Sequence, residues 1–343
     1  MNKIYDIKLC GADDIGKVRH FINTHWKKNH ALAVSQQLLD FQHYETKSDT
    51  YNFVVALNTI SAEIDGLIGF IPTSHYDKAL SPEKDYWGAI WKIREDVQNE
   101  EIKTLGLYLF ERFNEITAYN TFGAIGISKI AKKLYKALRY RTGVLNQFYI
   151  FNEQITEFKI AQTSKIENKR LTGKNIPVNL RCINDLADIH QPECFYEPKK
   201  SLDYLINRYQ KHPIYKYSFW GIYENTQLQT ILVIRVIEVN NARAIRIVDL
   251  LGAYEDLPVL YDQLQLILEA ENAEYIDCVN FGIPEAVFLN AGFTKLDVNG
   301  ATIIPAYFEP FEKRNVEIEF AYKSANPYMI FKGDSDQDRP NIL

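Results

Sequence analysis

Two stretches of this chain follow one pattern, and that pattern constrains the fold more than any other feature. AYNTFGAIG runs on to KLYKALRY, and DCVNFGIPE runs on to VFLNAGF. Each closes an extended run with N-x-F-G or N-F-G. Each continues into a short helix that ends in an aromatic residue. A repeat of this kind suggests a duplicated unit. The chain has 343 residues, and at roughly 100–200 residues per domain that length suits two such units.

The hydrophobic pattern supports the same division. YDIKLC alternates as a short strand, and Ile15, Val18, Phe21 and Ile22 fall at helical spacing. A second helical stretch covers about 31–44. YNFVVAL and LIGFIPTS read as strands around a turn at Asp65-Gly66, and YWGAIWKI is a third. A helix is expected over 103–118, with Leu105, Leu109, Phe113 and Ile116 on one face. AYNTFGAIG is strand and turn, 128–140 is helix, and VLNQFYIF closes the unit. Residues 152–175 are polar and lysine-rich and read as a linker. The second unit repeats the scheme with VNLRCI, SFWGIYE, QTILVIRVI, ARAIRIVDLLG and YIDCVNFG as strands. The fold class expected is α/β (α+β), with two domains at 1–151 and 176–343. Each is a mixed, mostly antiparallel sheet flanked by helices.

Charge and composition remove several functions. The net charge is −5, which argues against nucleic acid as the main partner. Cys10, Cys182, Cys194 and Cys278 show no C-x-x-C spacing, so neither a metal site nor a disulfide framework is expected. Scattered thiols suit a cytoplasmic setting. MNKIYDIKLC has no basic segment followed by an apolar run, and no window is apolar enough for a membrane span.

From Gly123 to Gly143 the chain resembles the GNAT superfamily of acetyltransferases. Those enzymes close their core with a helix of the form N-x-x-A-x-x-L-Y-x-x-x-G-F. SKIAKKLYKALRYRTGVLNQFYI matches it at Ala131, Leu134 and Tyr135, with Arg139-Tyr140 in place of Gly-Phe. The resemblance covers about the first 150 residues, and the second half in outline. It implies acetyl-CoA as co-substrate, held on a Q/R-x-x-G-x-G/A turn by backbone N–H groups at a helix start. The corresponding residues are Lys103, Thr104, Leu105 and Gly106, with only Gly106 left of the glycine pair. Trp91 and Ile93 would present the splayed strand to the thioester. Asn120 and Lys129 belong to the same cofactor-binding segment. Tyr135 would protonate the departing thiolate, a proton transfer that ordinary phenol and thiol pKa values allow. Phe288 stands at the equivalent place in the second half and cannot donate a proton, so the first half is the catalytic one.

Amine acylation also needs an acceptor pocket. THWKKNHALA offers His25, Trp26, Lys27 and His30 for substrate contact. His75 and Glu95 are the candidate bases, with Asp96 beside Glu95. The tail GDSDQDRPN carries D-x-D-x-D without the glycine and distal Glu of a calcium loop. It is read either as a solvated tail or as a segment that folds back, with Asp336, Asp338 and Arg339 binding a sugar or amine. THWKKNH…DFQHY and GDSDQDRP resemble acetyltransferase-like proteins of bacterial surface-polysaccharide gene sets, which implies a nucleotide-linked amino sugar as acceptor. Two other readings stand beside this one. The first is an aminoacyl-tRNA-dependent transferase, which the acidic charge disfavours. The second is a non-catalytic binding or scaffold protein, motivated by the degenerate phosphate turn.

Overall fold

A computed structural model of the chain describes residues 4–166, 168, 178–187 and 189–342. In chain order the first half contains β1 (Tyr5–Gly11), α1 (Ile15–Phe21), α2 (Ala31–Val34), α3 (Gln36–His43), β2 (Tyr44–Glu45), β3 (Thr50–Asn58), β4 (Ile64–Pro72), β5 (Asp85–Ile93), α4 (Ile102–Thr117), β6 (Thr121–Ile125), α5 (Lys129–Ala137) and β7 (Arg141–Val144). Then come β8 (Asn146–Phe151), β9 (Val178–Ile183), α6 (Leu202–Leu205), β10 (Ser218–Glu224), β11 (Gln227–Val239), β12 (Ala242–Gly252), α7 (Tyr261–Glu271), β13 (Ala273–Phe281), α8 (Glu285–Asn290), β14 (Thr294–Lys295), β15 (Glu319–Lys323) and β16 (Ile330–Phe331).

The strands form two sheets, each mixed and mostly antiparallel. One runs β1-β3-β4-β5-β6-β15-β7, with β2 on β3. The other runs β14-β8-β13-β12-β11-β10-β9, with β16 on β13. Helices flank both. α4 buries Leu105, Leu109, Phe110 and Phe113 and ends at Ala118 in a left-handed conformation. Ser128 caps α5 by accepting from the Ala131 N–H at 3.1 Å, as a serine N-cap should.

The sheets exchange strands. VLNQFYIF, expected as one closing strand of the first half, belongs to the second sheet from Asn146 on, pairing Phe148 with Cys278 and Ile150 with Ile276. β15, far along the second half, returns to sit between β6 and β7. A boundary at 151 therefore leaves each sheet with one strand from the other half. The reason is satisfaction of edges: β6 and β13 each gain a strand partner on an otherwise open side.

The stretch expected as a linker, 152–175, is packed over its first part; 169–175 lies outside the described residues. Ile160 and Ala161 are buried. The Glu274 carboxylate is also buried and draws in the N–H groups of Lys159, Ile160 and Ala161 at 2.6–3.0 Å. A buried carboxylate needs such donors, and this one was not legible as a feature of the linker.

Asp85, at the start of β5, joins the halves. It accepts from the Thr121 hydroxyl at 2.5 Å and the Lys199 N–H at 2.7 Å. Burial outweighs both bonds and pushes its pKa up to about 6. The folded pKa thus lies above the unfolded one. Its contribution to stability is present near pH 4 and is lost as pH rises through about 6. A rise of that size corresponds to about 2–3 kcal/mol. Urea unfolding at pH 4.5 and 7.5 should show that difference between the wild type and Asp85→Asn, whose profile should be flatter; identical profiles would contradict it.

Candidate functional site

Each sheet contains one pair of neighbouring parallel strands that separate partway along. β5 and β6 pair from Asp85/Thr121 to Gly88/Ala124. β5 continues to Ile93 against β4, so its other edge has no strand beyond Gly88. β12 and β13 pair from Arg243/Ala273 to Ile247/Cys278 and then part. A gap of this kind exposes main-chain donors and acceptors at sheet depth, where a ligand can take the place of a strand.

The two gaps have different fates. The second is filled by the chain itself. β16 pairs with β13 at Asn280/Phe331 and Phe281/Ile330. The Lys332 N–H donates to the Val279 carbonyl at 3.1 Å, and the Gly333 N–H to the Val248 carbonyl at 2.7 Å. One short segment therefore bridges both walls. Gly333 is required there, since a Cβ would lie 2.4 Å from the Tyr209 hydroxyl and 2.7 Å from the Val248 carbonyl. The first gap instead opens on a cavity of about 280 Å³, lined by Ala89, Ile125 and Gly126 of its mouth together with Trp26, Lys27, Tyr307, Asp336 and Arg339.

The tail builds that cavity. GDSDQDRPN is buried for most of its length, because its polar groups are matched one by one. Ser335 donates to the Gly88 carbonyl at 3.0 Å, at the very point where β5 and β6 part. Arg339 pairs with Asp336 at 2.7 Å and lies 3.0 Å from His30 Nε2. The Ala31 N–H donates to the Asn341 carbonyl at 2.9 Å. Asp338 is buried against Arg235 at 3.1 Å and accepts from the Tyr217 hydroxyl at 2.7 Å. Burial raises the Asp336 and Asp338 carboxyls, but Arg339 and Arg235 hold both below the usual carboxylate range. The structure thus brings Trp26, Lys27, Asp336 and Arg339 around one space, with His30 behind Arg339 and Asp338 one layer deeper. Burial pushes the His30 imidazole down to about 3.

Other candidates lie elsewhere. His25 stands 3.8 Å from Asp96 and lines a separate hollow with His20 and Arg94. His75 has both ring nitrogens committed at 2.9 Å, one to Glu45 and one to the Phe41 carbonyl. It presents no free lone pair to the gap and is not placed to act as a base. Glu95 is solvent-exposed and paired with Lys92, away from the gap. Asn120 bonds the carbonyl of Glu83 and sits at the closed end of the β5/β6 pair. Lys129 is exposed at the start of α5.

The expected phosphate turn is acidic. Glu95, Asp96, Glu100 and Glu101 occupy it against Lys92, Arg94 and Lys103, and all three cations are already paired. Lys103 is held by Glu100 at 2.8 Å. The Thr104 hydroxyl bonds the Glu101 carbonyl at 3.3 Å, and Leu105 is fully buried. At Gly106 a Cβ would be in ordinary van der Waals contact with Trp91 and Ile93, each 3.7 Å away. The Trp91 ring lies between α4 and α5, stacked on Phe110 at 5.0 Å and edge-on to Tyr135 at 5.6 Å. Tyr135 is buried in this aromatic cluster, which raises its pKa well above the ordinary phenol value. Phe288, which the expected duplication sets against Tyr135, stacks flat on Phe148 at 4.3 Å.

Sequence reasoning missed the filled second gap and the aromatic packing of Trp91. The apolar run YMIF in PYMIFK was the sign of a further strand.

A scan against protein-family models finds no match, and a search of curated proteins finds none. Solved structures are similar in fold. A GCN5-related N-acetyltransferase from Anabaena variabilis ATCC 29413 superimposes over 94% of this chain and 73% of its own, with TM-score 0.53 and 8% identity. A protein from Enterococcus faecalis V583 described as a probable N-acyltransferase covers 95% of this chain and 71% of its own, with TM-score 0.51 and 9% identity. The chain therefore has the fold seen in GCN5-related N-acetyltransferases. Among the described residues no helix is long and apolar enough to cross a membrane.

Proposed function

We propose that this protein is an acyltransferase that moves an acyl group, acetyl in the simplest case, from a CoA thioester to an amine. One observation carries the reading: of two equivalent strand gaps, the second is sealed by the chain and the first opens on a cavity walled by polar side chains from both ends of the sequence. The fold supports it. The thioester would lie at the first gap, where the free edge of β5 beyond Gly88 offers main-chain donors to its carbonyl. The acceptor amine would enter from the cavity. Its nitrogen attacks the thioester carbon, the C–S bond breaks, the Tyr135 hydroxyl gives its proton to the thiolate, and the proton that the amine nitrogen sheds passes through water to the Tyr135 oxygen and restores the phenol. The cavity's carboxylates, Asp336 and Glu312, are paired with Arg339 and Arg314 at 2.7 and 2.6 Å. The amine therefore has to arrive neutral. An amino sugar linked to a nucleotide meets the polar character of this cavity, and it is the acceptor we favour.

Calorimetric titration with acetyl-CoA tests the donor. Binding is expected at or below millimolar ligand, and Tyr135→Phe should bind alike while releasing thiol at least tenfold more slowly, since general-acid help contributes about 10²–10⁴-fold. An unchanged rate in that variant would remove Tyr135 from the chemistry. The four carboxylates around the α4 start and the packed Trp91 favour a second reading, a binding protein without an acyl donor. No heat at millimolar acetyl-CoA would select it.

A further inference from the structure

Most buried charges in this protein are paired. Lys200 has Asp249 and Asp334, Arg246 has Asp277, Arg235 has Asp338 and Arg339 has Asp336. Arg208 is different, as is Lys332, whose buried ammonium also has no hydrogen-bond partner. Arg208 is fully buried, just beyond α6, and among the described residues no carboxylate contacts it. One terminal nitrogen donates to the strap carbonyls of Gly333 and Ser335, at 3.1 and 3.2 Å. Its Nε and Nη1 have no hydrogen-bond partner. A guanidinium donates only, and an uncompensated buried cation is costly.

Two further donors without partners lie in the same aromatic shell. The Arg208 guanidinium sits 5.4 Å from the ring centre of Tyr76, whose buried hydroxyl has no partner. The Phe41 ring contacts Tyr76 at 5.7 Å and His212 at 5.1 Å. His212 Nδ1 accepts from the N–H groups of Ile214 and Tyr215, at 3.2 and 2.9 Å. That fixes the tautomer with the proton on Nε2, and Nε2 is buried without a partner. Burial pushes the His212 pKa down to about 3, so the ring is a neutral donor at physiological pH. The nearby carboxylates do not meet this need, because Asp336 and Asp338 are taken by Arg339 and Arg235.

We infer that Arg208, His212 and Tyr76 form a site between the two halves for an oxyanion, a phosphate or carboxylate group carried by a small molecule. Every free group there can donate a hydrogen bond, one carries an unneutralised charge, and an oxyanion supplies the acceptors and the charge together. Tyr76 follows β4 of the first half, and Arg208 and His212 come from the second. A bound oxyanion therefore ties the halves together and raises their joint stability. The inference stands apart from the acyltransferase reading, and its test contains no CoA.

The test is thermal unfolding and 31P NMR of the intact chain with inorganic phosphate, pyrophosphate and uridine monophosphate in one arm and glutarate in the other, at matched ionic strength. A saturable rise in Tm in either arm is expected, and the arm that gives it identifies the class of anion. Tyr76→Phe removes a hydroxyl that holds nothing else, so the fold should keep its Tm without ligand. Its affinity should fall about tenfold, the worth of one hydrogen bond to a charged group. Arg208→Met should weaken binding about a hundredfold. No saturable shift with any of the four anions would overturn the inference. So would binding that Tyr76→Phe leaves unchanged.

Discussion

Lys200→Met should cost about 3–5 kcal/mol, the range found when one partner of a buried ion pair is removed. The ammonium lies between Asp249 at 2.5 Å and Asp334 at 2.7 Å, with all three side chains wholly buried. Asp249 also accepts from the Tyr209 hydroxyl at 2.7 Å, and Asp334 from the Phe331 N–H at 2.8 Å. Burial lowers the Lys200 pKa, but the two carboxylates outweigh it and keep the lysine charged. Burial raises the Asp334 carboxyl, Lys200 opposes that rise, and Asp249 adds to it. Without Lys200 its pKa rises further. A raised folded pKa is a contribution lost as pH rises, so the variant should lose more stability at pH 8 than at pH 5. Adding Asp334→Asn should recover part of the loss. Urea unfolding of the wild type, the single and the double variant checks this; a single variant with an unchanged midpoint at pH 8 would show that the triad does not anchor the strap.

Arg339→Met is the second large effect. It leaves the Asp336 side chain buried without its cation, so desolvation becomes the dominant influence on that carboxyl. A loss of about 3 kcal/mol is expected from the same rule for broken buried pairs. The latch to His30 goes with it, and the cavity at the first gap loses a wall. If the acyltransferase reading holds, turnover should fall by at least tenfold, with acceptor KM more affected than acetyl-CoA affinity, because Arg339 lies on the acceptor side of the gap. Equal loss on both sides would place the residue in general folding and not in acceptor binding.

The elements of the first half were legible in the sequence because helical and strand periods are local. Leu105, Leu109 and Phe113 marked the buried face of α4, and Ser128 marked the start of α5. The motif around Ala131, Leu134 and Tyr135 was visible for the same reason. The candidate site was legible only in fragments. Trp26, Lys27 and His30 lie at one end of the chain and Asp336 to Arg339 at the other. No local pattern shows that they share a cavity. His75 and Glu95 illustrate the opposite failure: the residue type suited a base, but Glu45, the Phe41 carbonyl and Lys92 had already claimed them.

By itself, the sequence determined an α/β scheme and most of the strands and helices of the first half, and it suggested a duplication that sets Tyr135 against Phe288. These follow from periodicity and residue chemistry over short distances. Only the tertiary structure decided that β8 and β15 change sheets, that the strap from Tyr328 to Asn341 seals one gap and walls the other, and that Arg208 is buried without a counter-ion. Those outcomes depend on which edge, carbonyl or carboxylate reaches a group first across the folded molecule, and that competition is settled by packing between residues hundreds of positions apart.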